Sequence, residues 1–146
     1  MPVFSPFRSN PLPSSIRSDH PKSPTGKQPH VLVVDDVRTI LEVVTDVLRA
    51  EGFTVESTTN PAQAVEWLGA RPDAFDAIVS DLDMPYISGP LLLKMARQLG
   101  FTGKTIIHSG SLTGPGPHEK DLGTDAVVEK PFGTRSLPAK LWELLT

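Results

Sequence analysis

Ala77-Ile78-Val79-Ser80-Asp81-Leu82-Asp83-Met84-Pro85 decides the fold. A short apolar run ends on Asp81, a second carboxylate follows at Asp83, and Pro85 stops regular structure. In a parallel α/β sheet the strands are buried on both faces and read as apolar runs, and ligands sit just beyond their carboxyl ends. Asp81 is therefore placed where such a sheet holds a site. Read alone, the stretch also allows a polar residue that merely ends a strand. What stands at the ends of the other strands decides between the two.

Working outward, the same texture recurs. Residues 30–34 are a largely β-branched run that ends in Asp35-Asp36. Ile40, Val43, Val44, Val47 and Leu48 then fall at helical spacing, which predicts a helix with those residues inward and Gly52 just past its end. Residues 53–58 alternate and read as a second strand. Asn60-Pro61 is a capping residue followed by proline at the first helical position, and the helix it opens runs to about residue 70 with Ala64, Val65 and Leu68 inward. Residues 76–80 form the third strand, 84–89 a loop, and 90–99 a helix stopped by Gly100. Residues 105–108 and 125–129 are the fourth and fifth strands, ending at Ser109-Gly110 and Lys130-Pro131. A last helix over 135–145 turns Leu137, Leu141, Leu144 and Leu145 inward. Trp67 and Trp142 read as helix residues over the sheet. Strands alternate with helices and nothing repeats, so the expected architecture is a doubly wound five-stranded parallel sheet in an α/β fold. One segment breaks the alternation. Gly114-Pro115-Gly116-Pro117 cannot sit inside a stable helix, so the helix between strands four and five, the fourth, is expected to be short or missing.

Composition bounds the function. The chain has 146 residues, 38% apolar and 21% charged, enough for one domain with a sizeable core. It has no cysteine, which excludes disulfide and thiol chemistry. No apolar run approaches the roughly 18–20 residues of a membrane span. Residues 1–28 hold six prolines interleaved with serines and no apolar periodicity, and read as a disordered tail. The tail carries Arg8, Arg17, Lys22 and Lys27 against Asp19. Residues 29–146 hold ten basic and sixteen acidic residues, and an acidic domain has no electrostatic footprint for nucleic acid.

The strand ends carry the chemistry. Strand one delivers Asp35 and Asp36, strand three Asp81 with Asp83 beyond it, strand four Ser109, and strand five Lys130. In a flavodoxin-like sheet of order 2-1-3-4-5, strands one and three are neighbours at the switch point, so Asp35, Asp36 and Asp81 converge. Three ionised carboxylates so close need protons or a cation. Oxygen-only ligands with open positions suit Mg2+, which keeps several waters and joins carboxylates to a phosphate. A hydroxyl from Ser109 and an ammonium from Lys130 are groups that hold phosphoryl oxygens. Together these parts describe phosphoryl transfer to an aspartate.

The ordered series Asp35-Asp36, Asp81, Ser109, Lys130-Pro131-Phe132 resembles the receiver domain of bacterial two-component response regulators, over about residues 30–146. The resemblance implies a stand-alone cytoplasmic receiver at 29–146, a regulatory domain and not an enzyme beyond its own phosphorylation and dephosphorylation. It implies that Asp81 is the phosphoacceptor and takes its group from a histidine kinase or phosphotransfer protein. It further implies Mg2+ ligation by Asp36 and Asp81, by Asp35 through water, and by the backbone carbonyl of Asp83. Ser109 is then the switch hydroxyl, Lys130 the phosphoryl-binding lysine, and Lys130–Pro131 a cis bond. The output partner is unknown, and the protein is expected to be a monomer or weak dimer without direct contact to nucleic acid or membrane. Three departures stand out. Asp83 brings a carboxylate beside the acceptor, either idle or tuning the phosphoryl lifetime. Ser111 leaves water access open. Val127 occupies the place of the switch aromatic, so residues 110–123 are expected to order or move on phosphorylation instead. His108 should face away from Ser109 and pack in the core, and His30 and His118 have no partner in the sequence. Two other readings stay open: an interaction module that never takes phosphate, and a haloacid-dehalogenase-like phosphatase using Asp81-Leu82-Asp83. In the latter family the acidic pair follows the lysine, whereas here it comes first.

Overall fold

A computed structural model describes residues 28–110, 122–131 and 133–146. The runs ending at Asp35 and Asp81 are strands β1 (His30–Val34) and β3 (Ala77–Ser80). The others are β2 (Thr54–Thr58), β4 (Lys104–Ser109) and β5 (Ala126–Glu129). All pair in parallel, in the order β2-β1-β3-β4-β5. The order and the strand direction match the sequence reading, with boundaries moved by a residue or so.

Alternation along β1 explains why the sheet is covered twice. Val31 and Val33 point to one face, Leu32 and Val34 to the other, and all four are buried. The first face packs under α1 (Arg38–Ala50) and α4 (Leu137–Leu145) through Val44, Leu48, Leu141 and Trp142. The second packs under α2 (Pro61–Ala70) and α3 (Gly89–Gln98) through Ala64, Leu68, Leu92 and Ala96. Each valine or leucine in these contacts contributes about 1.5–3 kcal/mol when fully buried, and the alanines less.

The helix ends follow local chemistry. The Asn60 side chain accepts from Ala62 N–H at 2.9 Å, and Ser88 Oγ accepts from Leu91 N–H at 3.2 Å. Gly52 and Gly100, just beyond α1 and α3, take φ of +96° and +103°, which only glycine adopts without penalty.

α1 departs from the expected face. Leu41, Val44, Thr45 and Leu48 are buried, Ile40 and Val47 are half-buried, and Val43 is 53% exposed. The valine-rich stripe is wider than the contact, and packing selects the seam one position away from it. At the C-terminus a 3-10 turn (Thr134–Ser136) precedes α4, and Trp142 takes a core place, its ring tilted against Phe53 with centroids 4.6 Å apart, while Leu144 and Leu145 are only half-buried. The expectations for the tail and for the helix between β4 and β5 fall on residues 1–27 and 111–121, outside the described residues.

Candidate functional site

The strand register assembles the site. Val34 pairs with Ser80, so the residues that follow each, Asp35 and Asp81, leave the sheet side by side. Asp81 N–H bonds the Val34 carbonyl at 2.9 Å, and Asp35 N–H bonds the Thr58 carbonyl at 3.3 Å. Side-chain oxygens of Asp35, Asp36 and Asp81 all lie within 4.8 Å of one another. Asp35 and Asp81 are 2% and 9% exposed, and Asp36 is on the surface.

Lys130 reaches this cluster from the end of β5. Its Nζ donates to Asp35 Oδ2 at 2.8 Å and to Asp81 Oδ1 at 3.2 Å. Asp35 Oδ1 accepts from Val37 N–H at 2.9 Å, an Asx turn that orients the carboxylate as the chain enters α1. Asp81 Oδ1 also accepts from Leu82 N–H at 2.8 Å. That leaves Oδ2 as the Asp81 oxygen without a hydrogen bond among the described residues.

Charge balance at the pocket is short of cations. Burial pushes the Asp81 carboxyl up to about 6, and the neighbouring Asp35 pushes in the same direction; Lys130 and the Leu82 N–H oppose but do not outweigh them. A group of carboxylate oxygens with one ammonium between them fits a hard divalent cation.

Close approach fixes a residue that the sequence reading assigned to a loop. A Cβ on Gly89 would lie 2.2 Å from the Asp81 carbonyl oxygen and 2.9 Å from Ile107 Cδ1. Gly89 N–H bonds the Leu82 carbonyl at 2.8 Å, so the first turn of α3 packs directly on the backbone of Asp81 and Leu82. The Gly-Pro pair at 89–90 is the only trace of this in the sequence.

Comparison with known proteins settles the family. Residues 31–141 match the response regulator receiver domain. The chain belongs to the response regulator receiver family. It is similar to the alkaline phosphatase synthesis transcriptional regulatory protein SphR of Synechococcus elongatus, at 31% identity over 94% of this chain and 57% of that protein. Similarity to the response regulator SaeR of Staphylococcus aureus is 32% over 80% of this chain and 50% of SaeR. The chain thus spans about half the length of the curated relatives it matches. Among solved structures, the receiver domain of the Francisella response regulator 1452 superposes with a TM-score of 0.70 at 28% identity, covering 81% of this chain and 97% of that one. The receiver domain of the hybrid histidine kinase CckA gives 0.67 at 27%, covering 80% and 99%.

Within this receiver the structure brings together Asp35, Asp36, Asp81 and Lys130, with Lys130–Pro131 in cis. Ser109 ends β4, buried, and its carbonyl accepts from Lys130 N–H at 3.0 Å. Asp83 is exposed in the loop after β3, and its carboxylate is not part of the three-residue cluster. Val127 is half-buried and packs against the α2/α3 core. His108 is buried, as expected, and its Nε2 lies 3.0 Å from Thr134 Oγ1. His30 does have partners: Glu56 Oε2 at 2.9 Å and the Phe75 ring. Ser111, His118 and Phe132 lie outside the described residues. No helix of the described residues is long and apolar enough to cross a membrane.

Proposed function

We propose that this receiver takes a phosphoryl group on Asp81 from a phosphohistidine of a partner histidine kinase or phosphotransfer protein. The observation that carries the reading is the convergence of Asp35, Asp36 and Asp81 within 4.8 Å, with Lys130 bridging Asp35 and Asp81. Asp81 Oδ2 attacks phosphorus, the P–N bond breaks, and its electron pair returns to the donor imidazole. The Lys130 ammonium and the Ser109 hydroxyl hold phosphoryl oxygens on either side of the new bond. Asp36 and Asp81, Asp35 through water, and the Asp83 backbone carbonyl would hold Mg2+. That ion supplies charge neutralisation for the incoming phosphoryl group.

A cleft of about 320 Å3 adjoins Lys130, lined by Ile40, Val43 and Val47 of α1 and by Pro131, Thr134 and Arg135. It gives the donor a largely apolar footing beside the acceptor. The chain acts on itself and turns over only its own aspartyl phosphate, in the cytoplasm. It acts as a monomer or weak dimer and signals through an output protein, without direct contact to nucleic acid or membrane. Incubation with acetyl phosphate and Mg2+ followed by intact-mass measurement tests the reading. One phosphoryl group should be gained by the wild type and none by Asp81→Ala. A wild type that gains nothing would refute it.

A further inference from the structure

His108 is an imidazole in the core, 1% exposed, one residue before Ser109 on β4. An apolar side chain would fill that place without the desolvation cost of a polar ring. One ring nitrogen has a partner outside the sheet: Nε2 lies 3.0 Å from Thr134 Oγ1, one donating and the other accepting according to the tautomer. Thr134 begins the turn that follows Lys130, Pro131 and Gly133.

Two neighbouring residues of β4 therefore grip the two ends of one loop. The Ser109 carbonyl takes Lys130 N–H at 3.0 Å, and His108 takes Thr134 four residues further on. Between these points Gly133 is pressed on β5. Gly133 N–H bonds the Glu129 carbonyl at 2.7 Å, and a Cβ on Gly133 would lie 2.5 Å from that same oxygen and 2.8 Å from Val128 Cγ1. The Lys130 side chain extends from this clamped loop to Asp35 and Asp81.

We propose that the His108–Thr134 pair is a positioning device for Lys130, setting the loop so that the ammonium meets both Asp35 and Asp81. This rests on the phosphoacceptor reading above and names a part of its machinery. Neutrality suits the role. Burial first, and the Lys130 charge second, hold the His108 ring down to about 4, so at neutral pH it brings no second cation next to Lys130. A buried polar pair of this kind specifies geometry more than it adds stability.

The test uses the full chain and Thr134→Val, which keeps the shape of the side chain and removes its hydroxyl. Two readouts are taken: the initial rate of phosphoryl gain from acetyl phosphate with Mg2+, and the 15Nζ resonance of Lys130. Loss of one hydrogen bond should slow phosphorylation about threefold to tenfold. The Lys130 resonance should move in Thr134→Val, and Thr134→Ser should restore both readouts. His108→Gln, which keeps a polar atom near the Nε2 position, should fall between wild type and Thr134→Val. A Lys130 resonance unmoved in Thr134→Val overturns the inference, and so does a Thr134→Ser chain as slow as Thr134→Val. A wild type that takes no phosphoryl group overturns the phosphoacceptor reading instead, and the resonance then decides the inference alone.

Discussion

Asp81 carries the main electrostatic strain of the site at the scale of one residue. Its carboxyl sits at about 6 against an ordinary 3.8, because burial and Asp35 both disfavour its charge. Between those pH values the folded chain holds a proton that the unfolded chain has released. The group therefore favours the fold at low pH, and that support is lost as pH rises through 6. In metal-free protein, Asp81→Asn should raise the melting temperature at pH 7.5, by on the order of 1 kcal/mol in stability, and the gain should shrink steadily below pH 6. Thermal melts of both chains across pH 4–8 check it. His108 acts in the opposite sense. Its depressed value of about 4 gives support that is complete above the ordinary 6.5 and lost as pH falls towards 4. The difference between the two melts isolates Asp81, since both chains keep His108. Residue types at strand ends were readable from the sequence, because a carboxylate after an apolar run is conspicuous. The Thr134 partner of His108 was not, because contacts between residues 26 apart leave no periodic trace.

Packing decides what each element contributes. α3 can approach β3 only because its first residue has no Cβ, and Gly89→Ala should cost about 1–3 kcal/mol while displacing the Asp81 carbonyl. Denaturant unfolding gives the cost, and a slower gain of phosphoryl from acetyl phosphate reports the displacement. The cap of α2 is a simpler case. Asn60→Ala should cost about 1 kcal/mol by removing the acceptor for Ala62 N–H, with little effect at Asp81. α1 shows the limit of helical periodicity. Its valine stripe named the correct side of the helix, but Leu41 and Thr45 are buried where Val43 was expected. Intrinsic spacing cannot choose among adjacent seams of a broad apolar face; β2 and α4 make that choice.

The whole molecule is a scaffold that holds like charges together at the end of its sheet. A ligand that binds only the folded site stabilises the fold by mass action, by about 2.7 kcal/mol at a hundredfold excess over its dissociation constant. Mg2+ should therefore raise the melting temperature of the wild type at pH 7.5, and Asp36→Asn should lose most of that rise. Calorimetry with and without the ion checks both. The five-strand alternation, the parallel sheet and the identities at the carboxyl ends were determined by the sequence alone. They follow from local rules: apolar runs on doubly covered strands, caps and glycines at helix ends, and carboxylates, a hydroxyl and a lysine just past the strands. The tertiary structure alone decided which Asp81 oxygen is engaged and which is open, why residue 89 is glycine, and that His108 ties down the loop of Lys130. Those features depend on distances between segments far apart in the chain. Such distances are set when the sheet closes and its faces pack, as Asp81 illustrates: the strand names the carboxylate, and its neighbours set its charge and which of its oxygens is hydrogen-bonded.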